Sequence, residues 1–88
     1  MYSRSIVIQN NTGLHARPAA IFAQMAMNYK SIIIVKKEEK SANAKSILAL
    51  MTLGISKGTE ITIEADGEDE VTAVDSLTAL INTKFGEA

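Results

Sequence analysis

The segment NTGLHARPAA holds the only histidine of the 88-residue chain, His15, followed by Arg17 and by the only proline, Pro18. An imidazole near neutral pH can serve as nucleophile, general base or metal ligand. A metal site finds no support, because the chain has no cysteine and no second histidine. A Ser-His-Asp hydrolase is equally poor, since no serine is tied by sequence to His15. One reading remains bland: a lone histidine at the start of a helix is commonly a surface or cap residue. The neighbourhood favours chemistry instead. At a helix start, unpaired backbone N–H groups and the helix dipole attract anions. Arg17 adds a permanent cation whose donors suit phosphate oxygens. An imidazole beside these donors is a nucleophile aimed where a phosphoryl group would rest.

The elements that must hold this segment can be read from hydrophobic periodicity. YSRSIVIQ places Tyr2, Ile6 and Ile8 on one side at period two, which predicts a strand. After the turn NNTG, Pro18, Ile21, Phe22, Met25 and Tyr29 recur at helical spacing, predicting a helix over residues 16–28. Proline fits its first turn, where a missing N–H costs nothing. SIIIVKK predicts a strand, EEK a turn and SAN a short return strand. SILALMTL predicts a short helix with Ser46 as N-cap, ended by GISKG. TEITIEA predicts a strand with Ile61 and Ile63 inward and Glu60, Thr62 and Glu64 toward solvent. DGEDE opens a last helix, acidic at its positive end, with Val74, Leu77 and Ile81 as its buried stripe. The order β-α-β-β-α-β-α fits an α+β fold, a four-stranded antiparallel sheet covered on one face by three helices.

Composition narrows the function classes. Eighty-eight residues suit one domain over residues 1–88, with a modest core. Nine basic and ten acidic residues give a formal net charge of -1, which argues against nucleic acid as the partner. Two Phe, two Tyr and no Trp are too few for base stacking. No apolar run approaches the roughly 20 residues that span a bilayer, so no membrane insertion is expected. The N-terminal stretch does not read as a signal peptide, and the absence of cysteine suits a reducing, cytoplasmic setting.

TGLHARPA closely resembles the active-site motif of the HPr family, the histidine-containing phosphocarriers of the bacterial sugar phosphotransferase system. The similarity continues through AKSILALMTLGISKGTEITIEADGEDE and covers nearly the whole chain without a gap. The resemblance implies an open-faced β-sandwich with sheet order 1-4-2-3. It implies that His15 carries a phosphoryl group on Nδ1, that Arg17 steadies the phosphate, and that Ala16 and Pro18 support the helix start. The group would come from enzyme I, charged by phosphoenolpyruvate, and pass to the IIA domain of a sugar permease. No cofactor is implied, and the protein would be a carrier rather than an autonomous enzyme. A monomer is expected.

Ser46 reads as an ordinary N-cap, and both readings of it can hold at once. AKSIL matches the second phosphorylation site of the family. In many Gram-positive-type members an HPr kinase/phosphorylase modifies this serine, and the product assists a catabolite control repressor. Ile47, Leu48, Leu50, Met51 and Leu53 cannot all face inward from so short a helix. Leu50 and Leu53 are assigned to the core. Ile47, Leu48 and Met51, with Ala20, should form an exposed apolar patch beside His15, which the family uses for docking. Gln24 and Met27 extend that patch or form a solvated helix face. KKEEKSAN departs from the family, placing Glu38-Glu39 where an Asn-Gly or Asp-Gly pair is common, so another turn type is expected. Two alternatives stand beside this reading: a purely regulatory HPr-like protein that binds a transcription factor after serine phosphorylation, disfavoured because it has no need of His15, and a nitrogen-branch carrier, which shares the histidine motif and is disfavoured by KSIL.

Overall fold

A computed structural model describes residues 1–86. Along the chain run β1 (Tyr2–Val7), α1 (Ala16–Ala26), β2 (Ile32–Lys37), β3 (Lys40–Asn43), α2 (Ile47–Thr52), β4 (Glu60–Asp66) and α3 (Glu70–Asn82). The strands form one antiparallel sheet in the order β1-β4-β2-β3. The α+β open-faced sandwich expected from the sequence is therefore the observed fold.

Register explains which face is covered. The pairs Ile6↔Ile61, Val35↔Ile63, Ile33↔Ala65 and Val35↔Ala42 share one face. Ile33, Val35, Ala42, Ile61, Ile63 and Ala65 are buried there. Each isoleucine so buried is worth about 1.5–3 kcal/mol. The open face carries Glu60, Thr62 and Glu64, as their alternation predicts; Glu64 pairs with Lys36 at 3.1 Å and Thr62 with Ser5 at 3.0 Å.

Helix α1 ends two residues earlier than its hydrophobic spacing predicts. The N–H groups of Asn28 and Tyr29 bond three residues back, to Met25 and Ala26, so the last turn tightens and closes the helix. Lys45 Nζ then donates to the Tyr29 carbonyl at 2.8 Å. The deepest positions of α1 are Ala19, Phe22, Ala23 and Ala26, all fully buried. Ile21, Met25 and Tyr29 lie only partly covered at its flank. Alanines at the contact let α1 lie close to the layer below, which a search for large apolar residues overlooks. The stripe Val74, Leu77 and Ile81 of α3 is fully buried, as expected.

The β2–β3 connection is of another type than the one Asn-Gly favours, as expected. Lys37 pairs with Lys40, so Glu38 and Glu39 alone make the turn. Of the two, Glu38 alone has a positive φ, 55°, whereas the turn that Asn-Gly favours needs one at both. A left-handed conformation costs a side chain with a Cβ about 1–2 kcal/mol. Beyond α3, a 3-10 turn at Lys84–Gly86 returns Phe85 to the core. Nothing in the hydrophobic pattern announces it.

Candidate functional site

His15 is the N-cap residue of α1, with φ -74° and ψ -170°, and its side chain makes no capping hydrogen bond. Its carbonyl accepts the first helical bond, from Ala19 N–H at 2.8 Å. Pro18 has no N–H to leave unpaired. The N–H groups of Ala16 and Arg17 take no partner among the described residues. The imidazole is thus exposed at the positive end of an 11-residue helix, with two backbone donors and the Arg17 guanidinium close in sequence. Thr12, His15, Ala16, Arg17 and Pro18 line one recess of about 320 Å³. Leu14, His15, Met51, Gly54, Ile55 and Ser56 line a second, of about 200 Å³. His15 is the residue that both recesses share.

The loop before α1 is firmly held. Ile8 N–H donates to Thr59 O and Gly58 N–H to Ile8 O, tying the exit of β1 to the entry of β4. Leu14 N–H donates to Ile55 O at 3.1 Å, and the Leu14 side chain is buried. Gly13 has φ 61° and lies so close to the Ile55–Ser56 backbone that a Cβ would come within 2.7 Å of Ser56 Cα. Only glycine satisfies both conditions at that point.

Ser46 caps α2 in the conventional manner. Its Oγ accepts Ala49 N–H at 3.2 Å, and its carbonyl accepts Leu50 N–H. Asn43 prepares this start: its Oδ1 accepts Lys45 N–H and its carbonyl accepts Ser46 N–H. Lys37 Nζ closes the other end, donating to Leu53 O at 3.2 Å and Gly54 O at 3.0 Å. Sequence reasoning missed both residues; a lysine poised over a helix C-terminus is visible only once the hairpin and α2 are placed together.

The apolar residues divide as expected. Leu50 and Leu53 are in the core, while Ile47, Leu48 and Met51 are 38%, 73% and 40% exposed. Helix α2 packs against α1, whose Ala20 is half-buried and whose Gln24 and Met27 are exposed. Met51 and His15 wall the same recess, so the apolar surface runs up to the imidazole. Ser46 sits at the opposite end of α2 from Gly54.

An open-faced sandwich presenting a histidine at an uncapped helix start, with an arginine two residues on, defines a class of small phosphoryl carriers. Comparison with known proteins agrees. The family model described as PTS HPr component phosphorylation site matches residues 2–83. The phosphocarrier protein HPr of Haemophilus influenzae is 51% identical over 83 residues, spanning 94% of this chain and 98% of that one. The crystal structure of HPr-C-His from Thermoanaerobacter tengcongensis superposes with a TM-score of 0.97 at 49% identity, covering 100% of this chain and 99% of the other. A crystal structure of the catabolite-repression protein Crh from Bacillus subtilis, described as a dimer with a swapping domain, has a TM-score of 0.77 at 43% identity, covering 96% and 97%. The chain belongs to the HPr family of the phosphotransferase system. Among the described residues no helix is long and apolar enough to cross a membrane.

Proposed function

We propose that this chain is a cytoplasmic phosphocarrier that accepts a phosphoryl group from phospho-enzyme I on His15 and delivers it to the IIA domain of a sugar permease. The observation that carries this reading is the exposed His15 at a helix start whose first backbone donors are unspent. The Nδ1 lone pair attacks phosphorus while the bond from phosphorus to the donor breaks. The proton on Nε2 stays where it is. Charge on the transferring group spreads over its three equatorial oxygens. Arg17 and the N–H groups of Ala16 and Arg17 are the donors placed to meet those oxygens. Delivery to the IIA domain is the same step reversed on a new acceptor. The carrier supplies nucleophile and cradle, and each partner completes the surroundings, so it is no catalyst on its own.

Ala20, Gln24, Ile47, Leu48 and Met51 form the docking surface in this reading. Exposed methionine suits a surface that meets several partners. Ser46 is a regulatory phosphorylation site for an HPr kinase/phosphorylase, and the modified form serves a catabolite control repressor. The monomer is the working form; light scattering should give the mass of one chain, and a dimer at micromolar concentration would overturn that. The Crh relatives favour a second reading, a regulatory protein that carries no phosphoryl group. One experiment separates the two. Incubation with enzyme I and phosphoenolpyruvate, followed by intact mass, should add one acid-labile, base-stable phosphate. No addition would leave the regulatory reading.

A further inference from the structure

We infer that Asn10 is a positioning residue for phosphoryl transfer: its buried side-chain amide holds the turn that delivers His15. Asn10 is 1% exposed, and the other buried polar residues among those described are Ser31 and Thr78. Thr78 bonds within its own helix, to Val74 O. Ser31 is bound by Asp69. Asn10 alone of the three serves the loop before α1. Its Nδ2 donates to Gly13 O at 2.7 Å and to Thr12 Oγ1 at 3.3 Å. A carbonyl can only accept, so the atom facing Gly13 O must be the amide nitrogen. The Asn10 carbonyl in turn accepts Gly13 N–H at 3.2 Å. Both backbone groups of Gly13 are therefore held by one residue. On its other side Gly13 rests against the Ile55–Ser56 backbone.

The turn is gripped from both sides. Residues 55–56 stop it from collapsing inward, and the Asn10 amide stops it from lifting away. His15 lies two residues later, and Thr12, the second acceptor of Asn10, lines a recess together with His15 and Arg17. Asn10 thus fixes one wall of that recess without facing it. The docking surface on α1 and α2 makes no use of Asn10. Its loss should therefore affect the rate of transfer and leave partner affinity unchanged.

This inference rests on His15 as the phosphoryl acceptor. Its test measures the initial rate of phosphorylation by enzyme I and phosphoenolpyruvate against concentration of the full chain. Asn10→Leu removes both donors and keeps the branch at Cγ. Asn10→Ser, a milder change, keeps one hydroxyl donor. Ile81→Val loosens the core on α3, away from the loop before α1 in sequence, and serves as the stability control. Asn10→Leu should lower the maximal rate by about tenfold to a hundredfold, the range expected when a nucleophile shifts by about an ångström. The half-saturating concentration should stay within about twofold, since uniform binding is untouched. Asn10→Ser should recover part of the rate, and the Gly13 and Leu14 amide resonances should move in both variants. If Asn10→Leu does not fold, Asn10→Ser alone must show the rate loss and the shifts. A maximal rate within about twofold of the unmodified protein, or a loss matching Ile81→Val at equal loss of Tm, would overturn the inference while leaving His15 as acceptor. An unmodified protein that takes no phosphate would overturn both.

Discussion

Two helix starts in this small protein obey the same electrostatics and use it in opposite ways. At α2 the start is closed: Ser46 Oγ accepts Ala49 N–H, so one backbone donor is consumed by the chain itself. At α1 the N-cap residue is His15, which makes no such bond, and Pro18 contributes no N–H. A cap at this position is worth about 1 kcal/mol of stability. The α1 start forgoes it and keeps its donors directed outward, beside a nucleophile and a guanidinium. The α2 start has the stability and carries its reactive oxygen as part of the cap. Each start leaves two backbone donors without a partner among the described residues, Ala16 and Arg17 at α1 and Ile47 and Leu48 at α2; the two differ at the third position, a proline at α1 and a capped Ala49 N–H at α2. A third helix start, that of α3, is different again. Asp69 turns away from its own helix and accepts the N–H groups of Lys30 and Ser31 and the Ser31 hydroxyl, locking α3 to the segment that follows α1.

The largest loss is expected at His15. His15→Ala should abolish labelling by enzyme I and phosphoenolpyruvate while leaving the circular dichroism spectrum and Tm nearly unchanged, because the side chain is exposed and caps nothing. Labelling of the alanine variant to the same extent would move the acceptor elsewhere. Arg17→Ala removes one charged donor and should slow phosphorylation by about tenfold or more, the worth of a single charge-assisted hydrogen bond. Steady-state rates at saturating enzyme I would show it, and an unchanged rate would mean that the backbone donors suffice.

At the closed start the effects are smaller. Ser46→Ala should cost about 1 kcal/mol in urea denaturation and still accept phosphate on His15. Ser46→Asp places a negative charge at the edge of the apolar surface of Ile47, Leu48 and Met51. It should raise the half-saturating concentration for enzyme I several-fold, by about 1 kcal/mol of unfavourable charge, with the maximal rate preserved. Equal kinetics in the two variants would reduce Ser46 to a cap as far as this partner is concerned.

The smallest effect is a slope rather than a level. Hydrogen bonding by Ser31 and by the Lys30 N–H holds the Asp69 carboxyl below its ordinary value of 3.8. The Gly67 N–H and the Met1 ammonium do the same for Glu70, below 4.5. A carboxylate depressed in the folded state contributes stability above its unfolded pKa and loses it as pH falls through the folded one. Stability should therefore decline on acidification from the region of those ordinary values downward, and Asp69→Asn should flatten the decline. An identical acid limb in the variant would show that the α3 start plays no part in it.

Much of this was legible in the sequence, for physical reasons. Ile61, Ile63, Val74, Leu77 and Ile81 fall at periods that can bury only one face, so the sheet and α3 were fixed by pattern. His15, Arg17 and Pro18 stand out by residue type, and Ser46 by its place before an apolar run. What stayed hidden depends on chain segments meeting in space. Asn10, Lys37 and Asp69 each bond to backbone groups of another element or turn, and polar residues in loops carry no periodic signal. The conformation of the hairpin is not legible in Glu38, whose side chain disfavours the positive φ that the register of Lys37 with Lys40 imposes. The alanines of α1 were undervalued because close approach rewards small residues where pattern reading rewards large ones.

At the centre stands the assignment of the phosphoryl group to the α1 start, where His15 takes it and the Ala16 and Arg17 N–H groups hold it. Proton–nitrogen correlation spectra recorded while enzyme I and phosphoenolpyruvate phosphorylate the uniformly labelled chain test it most directly. One phosphate should be added, and the Ala16 and Arg17 amides should move markedly downfield, as donors to a charged oxygen do. The amides of Ile47, Leu48 and Ala49 should stay in place. Phosphorylation that leaves Ala16 and Arg17 unmoved, or that shifts the α2 amides instead, would contradict it.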